Sequence, residues 1–254
     1  MQTISNTAYA VQTFNQRKHG GGIGRGDRSF HKLEFMEYFM MRQIPVLSRR
    51  GRGLIIDMNA GDGQETPHVQ KDFFADGALI STPHLAIRAA RRFGADVWLC
   101  EKSAPARKRL KELWGNDARI FGNHNTLPKY LDLVANYPWL FVLSDPNGHG
   151  DSSNGVTVMA KLAEVNRVSD FVIVVNLQSL WRHQGLRSTS NHDENVRVAA
   201  ARASKERYSW MVDPNKWAQR LGKRQVMERK PIHQQGAMRA QVLLISNWIA
   251  GYGR

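Results

Sequence analysis

The sequence predicts an α/β fold, a doubly wound and mostly parallel sheet with helices on both faces. Three features point there. Short apolar runs of the fully buried type alternate with capped amphipathic segments from Gly53 to Leu177. The apolar runs are four to eight residues long, a strand's length rather than a helix's. Each of the first four ends in small or polar residues, where a sheet of this kind binds its ligand. At 254 residues the chain suits one large domain. We expect a flexible basic leader over 1–29 and a single domain over 30–254, with a basic, aromatic-containing insertion at about 181–224.

Each element has its own signals, taken in chain order. The leader ends in HGGGIGRGDRS, which has neither period. Without a preceding strand or a Lys-Ser/Thr ending it does not read as a phosphate loop. In FHKLEFMEYFMMRQIPVL, the spacing of Phe30, Leu33, Met36, Met40 and Met41 predicts a helix that Pro45 ends. GLIIDM is a buried strand, followed by a glycine turn and a polar passage to Gly77. STPHLAIRAARRFG is a helix with Thr82 as N-cap, Pro83 in the first turn and Gly94 as stop. Strands DVWLCEK and ARIFGN flank the helix SAPARKRLKELWG. Then come helix LPKYLDLVANY, strand WLFVLSDPNG, helix GVTVMAKLAEVNRV and strand DFVIVVNL. Beyond the basic passage, two strands around HQQGAM form an antiparallel pair at the sheet's edge.

Charge is the strongest bulk signal. Thirty-six Lys and Arg stand against 22 Asp and Glu, a net charge of +14 and a pI near 10.3. Such an excess favours polyanions, chiefly nucleic acid, because neutralising phosphates releases counterions. No run approaches the ~18 apolar residues of a membrane span, and the N-terminus lacks a charged-then-apolar signal pattern. One cysteine, Cys100, permits no internal disulfide and anchors no zinc cluster, so a reducing cytoplasm is expected. NHDEN at 191–195 reads as a polar loop, and no metal site is expected.

The strand ends carry the chemistry. After the first come Asp57, Asn59, Ala60, Gly61, Asp62 and Gly63, an acid followed by backbone bare enough for a ligand to approach. A dinucleotide fingerprint needs a third Gly or Ala where Thr66 stands, and a helix at once, whereas the clear helix begins near Pro83. The second end offers Glu101, suited to ribose hydroxyls, with Lys102 and Ser103 behind it. The third offers Asn123, His124 and Asn125, which suit an adenine ring or a turn. The fourth is Asp145, Pro146, Asn147 and Gly148: a rigidly displayed carboxylate, or a common turn.

Together LIIDMNAGDG, VWLCEK and FVLSDPNG resemble the motifs of class I S-adenosylmethionine-dependent methyltransferases. The Lys- and Tyr-bearing FHKLEFMEYF, LISTPHLAI and LFVLSDPNG are similar to the three-Cys-motif partner family of bacterial methyltransferase-like proteins. The resemblance covers roughly residues 30–180 and implies a Rossmann-like methyltransferase sheet. It implies S-adenosylmethionine as cofactor, with Asp57, Asn59, Ala60, Gly61 and Gly63 around its methionine part. Glu101 and Lys102 would lie at the ribose, and Asn123 and His124 near the adenine. Asp145, Pro146 and Asn147 would line the acceptor's place. Adenine amino-methyltransferases carry Asp/Asn-Pro-Pro-aromatic there. Asn147 and Gly148 depart from that, and Trp181 is the nearest ring that could stand in.

The expected activity is methyl transfer to nucleic acid, to an adenine or cytosine amino group of DNA ahead of RNA. Phosphates would be held by Lys32, Arg182, Arg187, Lys205, Arg207, Lys223 and Arg224, with Tyr208, Trp210 and Trp217 for stacking. A partner protein or second copy of the chain is also open; a membrane is not expected. Three rivals stand beside this. The fold could bind nucleic acid without methyl transfer. A nicotinamide oxidoreductase would need different glycine spacing. Ribose 2′-hydroxyl methylation uses a Lys-Asp-Lys-Glu set, to which Lys32, Asp145 and Glu206 could contribute, but the fifth strand ends in Asn176 without a nearby lysine.

Overall fold

A computed structural model describes residues 27–63, 81–146, 149–175, 209–229, 233–234, 237–238 and 240–249. Five parallel strands form early: β1 (Gly53–Asp57), β2 (Ala95–Cys100), β3 (Arg119–Phe121), β4 (Leu140–Ser144) and β5 (Ser169–Val175). β6 (Gln225–Arg229) and β9 (Gln241–Ser246) complete a seven-stranded sheet of order β3-β2-β1-β4-β5-β9-β6. β9 runs antiparallel to both β5 and β6. The expected edge pair is thus present, and β7 (His233–Gln234) and β8 (Ala237–Met238) form a small antiparallel sheet between its strands in sequence. The usual dinucleotide sheet is 3-2-1-4-5-6; here an antiparallel strand is let in before the last.

The core lies on both faces of the sheet because successive strand residues point to opposite sides. Ile55, Leu99, Phe141, Val172 and Leu244 belong to one buried layer, which α1 (Asp27–Leu47), α2 (Thr82–Phe93) and α3 (Ala104–Trp114) cover. Leu54, Ile56, Cys100, Val142, Ile173 and Ile245 belong to the other, under α5 (His149–Val165) and α6 (Pro214–Arg220). The short α4 (Leu131–Ala135) adds Val134 to that second layer. Burial on both faces explains why the strands read as unbroken apolar runs. No helix among the described residues is long and apolar enough to cross a membrane.

Several boundaries differ from expectation for physical reasons. Pro45 does not end α1, which continues to Leu47 and into a 3-10 turn over Ser48–Arg50. Ile44 and Leu47 are buried, so packing holds the last turn despite the donor that proline removes. Ser81, not Thr82, is the N-cap of α2; its side chain accepts from the His84 N–H. The segment expected as one helix at 127–137 begins instead as a 3-10 helix, His124–Tyr130, containing Pro128. α5 starts at His149, ahead of the expected Gly155.

The delayed helix after β1 is delayed in sequence but not in space. The buried Ser81 hydroxyl donates to the Gly63 carbonyl at 3.1 Å, fastening the start of α2 to the glycine turn. α2 therefore leaves from the mouth of β1 as it would in a short βα connection. That removes one of the two sequence arguments against a dinucleotide; the missing third glycine and the strand order remain.

Candidate functional site

The carboxyl ends of β1, β2, β3 and β4 lie side by side, and the chain turns outward from each. At β1, Asp57 is almost wholly buried and its Oδ1 accepts from the Asn59 N–H at 3.0 Å. Burial pushes its carboxyl up to about 7, against the pull of the Thr82 hydroxyl and the Asn59 N–H. Asp57 Oδ2 makes no well-formed hydrogen bond among the described residues, the Thr82 hydroxyl acting on the carboxylate only loosely. A buried acceptor left unpaired is costly, and such cost persists where a ligand redeems it. Asn59 ties this end to the next: its Oδ1 accepts from the Ser144 hydroxyl at 3.2 Å.

The glycine turn runs past Ala60, which is buried. Gly61 and Gly63 take left-handed conformations, with φ of 64° and 73°. They differ in surroundings. A Cβ on Gly61 would meet no atom of the described protein within 4 Å, whereas one on Gly63 would lie 2.8 Å from Leu110 Cδ2. The first glycine thus borders open space and the second a packed wall, in which Trp114 Nε1 is buried without a hydrogen-bond partner.

At β2, the Glu101 carboxylate joins the two turns. Oε2 accepts from the Gly61 N–H at 3.0 Å and Oε1 from the Ser103 N–H at 2.7 Å. Arg107 supports the same turn by donating to the carbonyls of Glu101 and Lys102. Lys102 itself is exposed. At β3, the Asn123 side chain is spent as a cap, accepting from the Asn125 N–H, while His124 is buried beneath the 3-10 helix. Of the two, His124 has the more enclosed surroundings.

At β4, Asp145 follows Ser144, and its Oδ2 lies 2.5 Å from Lys32 Nζ. The two side chains, Lys32 and Asp145, are 22% and 23% exposed, so the pair sits at the rim rather than in bulk water. Lys32 comes from the first turns of α1, 113 residues away. Pro146 is buried; Asn147 lies outside the described residues.

The expected phosphate contacts are redistributed. Lys32 is committed to Asp145. Lys223 is buried, donating to Ser169 Oγ at 2.8 Å with its ammonium over the Phe171 ring, so it presents no charge to a phosphate. Burial lowers that ammonium to about 8. Trp217 is also core: its indole donates to the Met211 carbonyl and packs against Trp210. Arg224 is exposed. Trp181, Arg182, Arg187, Lys205, Glu206, Arg207 and Tyr208 lie outside the described residues. The feature that sequence reasoning missed is the Ser81–Gly63 clasp; the serine opening STPHL is its only trace in the sequence.

No protein-family model matches the sequence. No curated protein sequence matches it significantly either. Solved structures do resemble it. A Legionella pneumophila protein described as family-model DUF519 aligns with a TM-score of 0.52 and 12% identity over 85% of each chain. The plantazolicin methyltransferase BamL, solved with a triazolic desmethylPZN analog and SAH, gives 0.41 and 15% over 96% of this chain and 97% of its own. A TehB-like SAM-dependent methyltransferase from Corynebacterium glutamicum gives 0.35 and 11% over 95% and 97%. The likeness is one of fold. It is the doubly wound, mostly parallel sheet with an antiparallel pair at its edge that the sequence led us to expect.

Proposed function

We propose that this protein is an S-adenosylmethionine-dependent methyltransferase acting on nucleic acid. The observation that carries the reading is the pairing of two unlike strand ends: an enclosed, unpartnered carboxylate oxygen on Asp57 and, on the adjacent strand, the rim ion pair of Asp145 with Lys32. The first suits a small cationic ligand, and the open space beside Gly61 gives it backbone to rest against. Asp57, Asn59, Ala60, Gly61 and Gly63 hold the methionine part, Glu101 the ribose, and the turn at Asn123 and His124 borders the adenine. Bound there, S-adenosylmethionine supplies an activated methyl group, so the protein's task is alignment.

Asp145 and Pro146 orient the acceptor. With Oδ2 engaged by Lys32, Asp145 Oδ1 accepts from an exocyclic amino group of a base, the DNA-first reading. The same pair favours a second reading. The Lys32 ammonium donates to an acceptor oxygen, which suits a ribose 2′-hydroxyl and supplies two members of the set that such methylation uses. Lys32 at the start of α1 also lies in the stretch that resembles the three-Cys-motif partner family.

Calorimetric titration with S-adenosylmethionine, its demethylated product and NAD tests the donor assignment. Binding of the first two is expected, and binding of NAD alone would sink it. Tritiated methyl transfer to matched DNA and RNA of one sequence then separates the acceptors. A ribose hydroxyl gives no signal on DNA; an amino group gives signal on both or on DNA. Cofactor binding without transfer to either identifies a methyltransferase-shaped binding protein instead.

A further inference from the structure

The opposite edge of the sheet, where the parallel strands begin, carries charge that the candidate site does not use. Arg49 and Arg50 lie in the 3-10 turn that feeds β1. Arg167 stands two residues before β5, and Arg224 immediately before β6. All four are exposed, and among the described residues none of their side chains makes an ion pair. The acids of this edge are occupied elsewhere: Asp96 by Arg52 and Asp117 by Arg91. Asp170 is buried against Gln43, and Glu164, near the end of α5, is the exposed acid closest to Arg167 in sequence. Among the described residues the edge carries an excess of positive charge.

Trp248 lies on the same edge because β9 runs against its neighbours and ends there. It is 55% exposed, the most exposed large hydrophobic residue among those described. Its backbone is fixed: Ser246 Oγ accepts from its N–H, and its carbonyl accepts from Gln43 Nε2 at 2.9 Å. Asn247 Nδ2 reaches the Arg167 carbonyl, and Gln225 is paired with Ser246, which draws Arg167, Arg224 and Trp248 together. An open indole with a fixed backbone, on an edge that carries four exposed arginines without an ion pair among the described residues, has the composition of a stacking platform with phosphate contacts. Cations at helix ends ease the dipole, which suits Arg167 just past α5, but that accounts neither for Arg224 before β6 nor for the tryptophan.

We propose that this edge docks single-stranded nucleic acid, with Arg49, Arg50, Arg167 and Arg224 on phosphates and Trp248 stacked on a base. Seven strands at about 4.8 Å spacing make an edge roughly 30 Å long, room for several nucleotides. It is separated from the candidate site by the length of the strands, about 16 Å for five residues. The edge therefore anchors the polymer without presenting a base to the methyl donor. It stands independently of the proposed function, since a polymer can be anchored here whether or not a methyl group is transferred.

The test uses the full chain and a labelled single-stranded oligonucleotide of mixed sequence, with binding read by fluorescence anisotropy across a salt series. In a combined R49A, R50A and R224A variant, the slope of log affinity against log salt is expected to fall by about 2, at ~0.7 per lost contact. W248A should weaken binding about 5- to 100-fold, with duplex binding of the same length affected far less. Cofactor affinity in both variants should equal that of the unmodified protein, which also reports that they are folded. An unchanged salt slope in the triple variant overturns the proposal, as does a W248A variant that binds single strands normally. Tighter binding to phosphatidylserine vesicles than to the oligonucleotide at equal salt, lost in the triple variant, would reassign the edge to a membrane surface.

Discussion

Asp57 and Asp145 end neighbouring strands of one sheet, and the fold treats them in opposite ways. β1 and β4 are paired in register, Asp57 beside Leu143, so the two carboxylates leave the sheet at nearly the same height. Asp57 is closed over by the start of α2 and is left with one oxygen unpartnered. Asp145 stands at the rim, met by an ammonium from α1. A strand end supplies only a position. The helix that packs over it decides whether the acid is held in reserve for a ligand or balanced at the surface. On our reading, that division separates the donor side of the site from the acceptor side.

The largest effect should come from the rim. Asp145→Asn keeps the shape but removes the charge facing Lys32, and methyl transfer should fall about 100-fold or more, with the loss in kcat. Cofactor affinity by calorimetry should stay within about threefold. A matching loss of cofactor binding would mean that Asp145 belongs to the donor side and would erase the distinction. Lys32→Met tests the pair from its other end. A hydroxyl acceptor predicts a loss comparable to that of Asp145→Asn, whereas an amino acceptor predicts a much smaller one.

Asp57 should behave in reverse. Because its folded value is raised to about 7, above ~3.9 in an unfolded chain, the folded protein keeps a proton there that the unfolded chain has lost. Its contribution to stability therefore falls as pH rises from about 4 to about 7, and levels off above. Asp57→Asn should remove that slope and raise stability at pH 8 by about 1–3 kcal/mol, measured by denaturant unfolding. The cost appears in binding: affinity for the cationic cofactor should drop about tenfold at pH 8. In the unmodified protein the same affinity should weaken as pH falls below about 7, and the variant's should not. A variant that loses stability at pH 8 would show the carboxylate to be satisfied without a ligand.

The strand ends themselves were legible because buried parallel strands declare themselves as apolar runs, and chain order fixes which residues stand at their carboxyl ends. Asp57, Gly61, Glu101 and Asp145 needed only that. The partners across the site were only partly legible. Lys32 and Asp145 could be named as members of one possible set, but their direct pairing across 113 residues could not, and Ser81 meets Gly63 across a passage that reads as plain loop. Basic residues in the insertion misled for a related reason. A lysine or tryptophan in a polar stretch reads as surface, but a seven-residue helix is too short to show which face is buried. Trp217 and Lys223 are consequently core, while the exposed arginines at 49, 50, 167 and 224 sit where strands begin.

The finest contrast lies within the glycine turn. Gly61 and Gly63 share a left-handed backbone, so alanine at either costs about 1 kcal/mol or more in stability. Their side spaces differ: open at Gly61, and closed at Gly63 by Leu110 and Trp114. Gly63→Ala should therefore be the less stable variant, by a further 1–3 kcal/mol or so of overpacking. Gly61→Ala should lose only that backbone cost in stability yet lose cofactor affinity several-fold, because its methyl group enters the space assigned to the ligand. Equal cofactor affinity before and after that substitution would place the donor somewhere other than against Gly61.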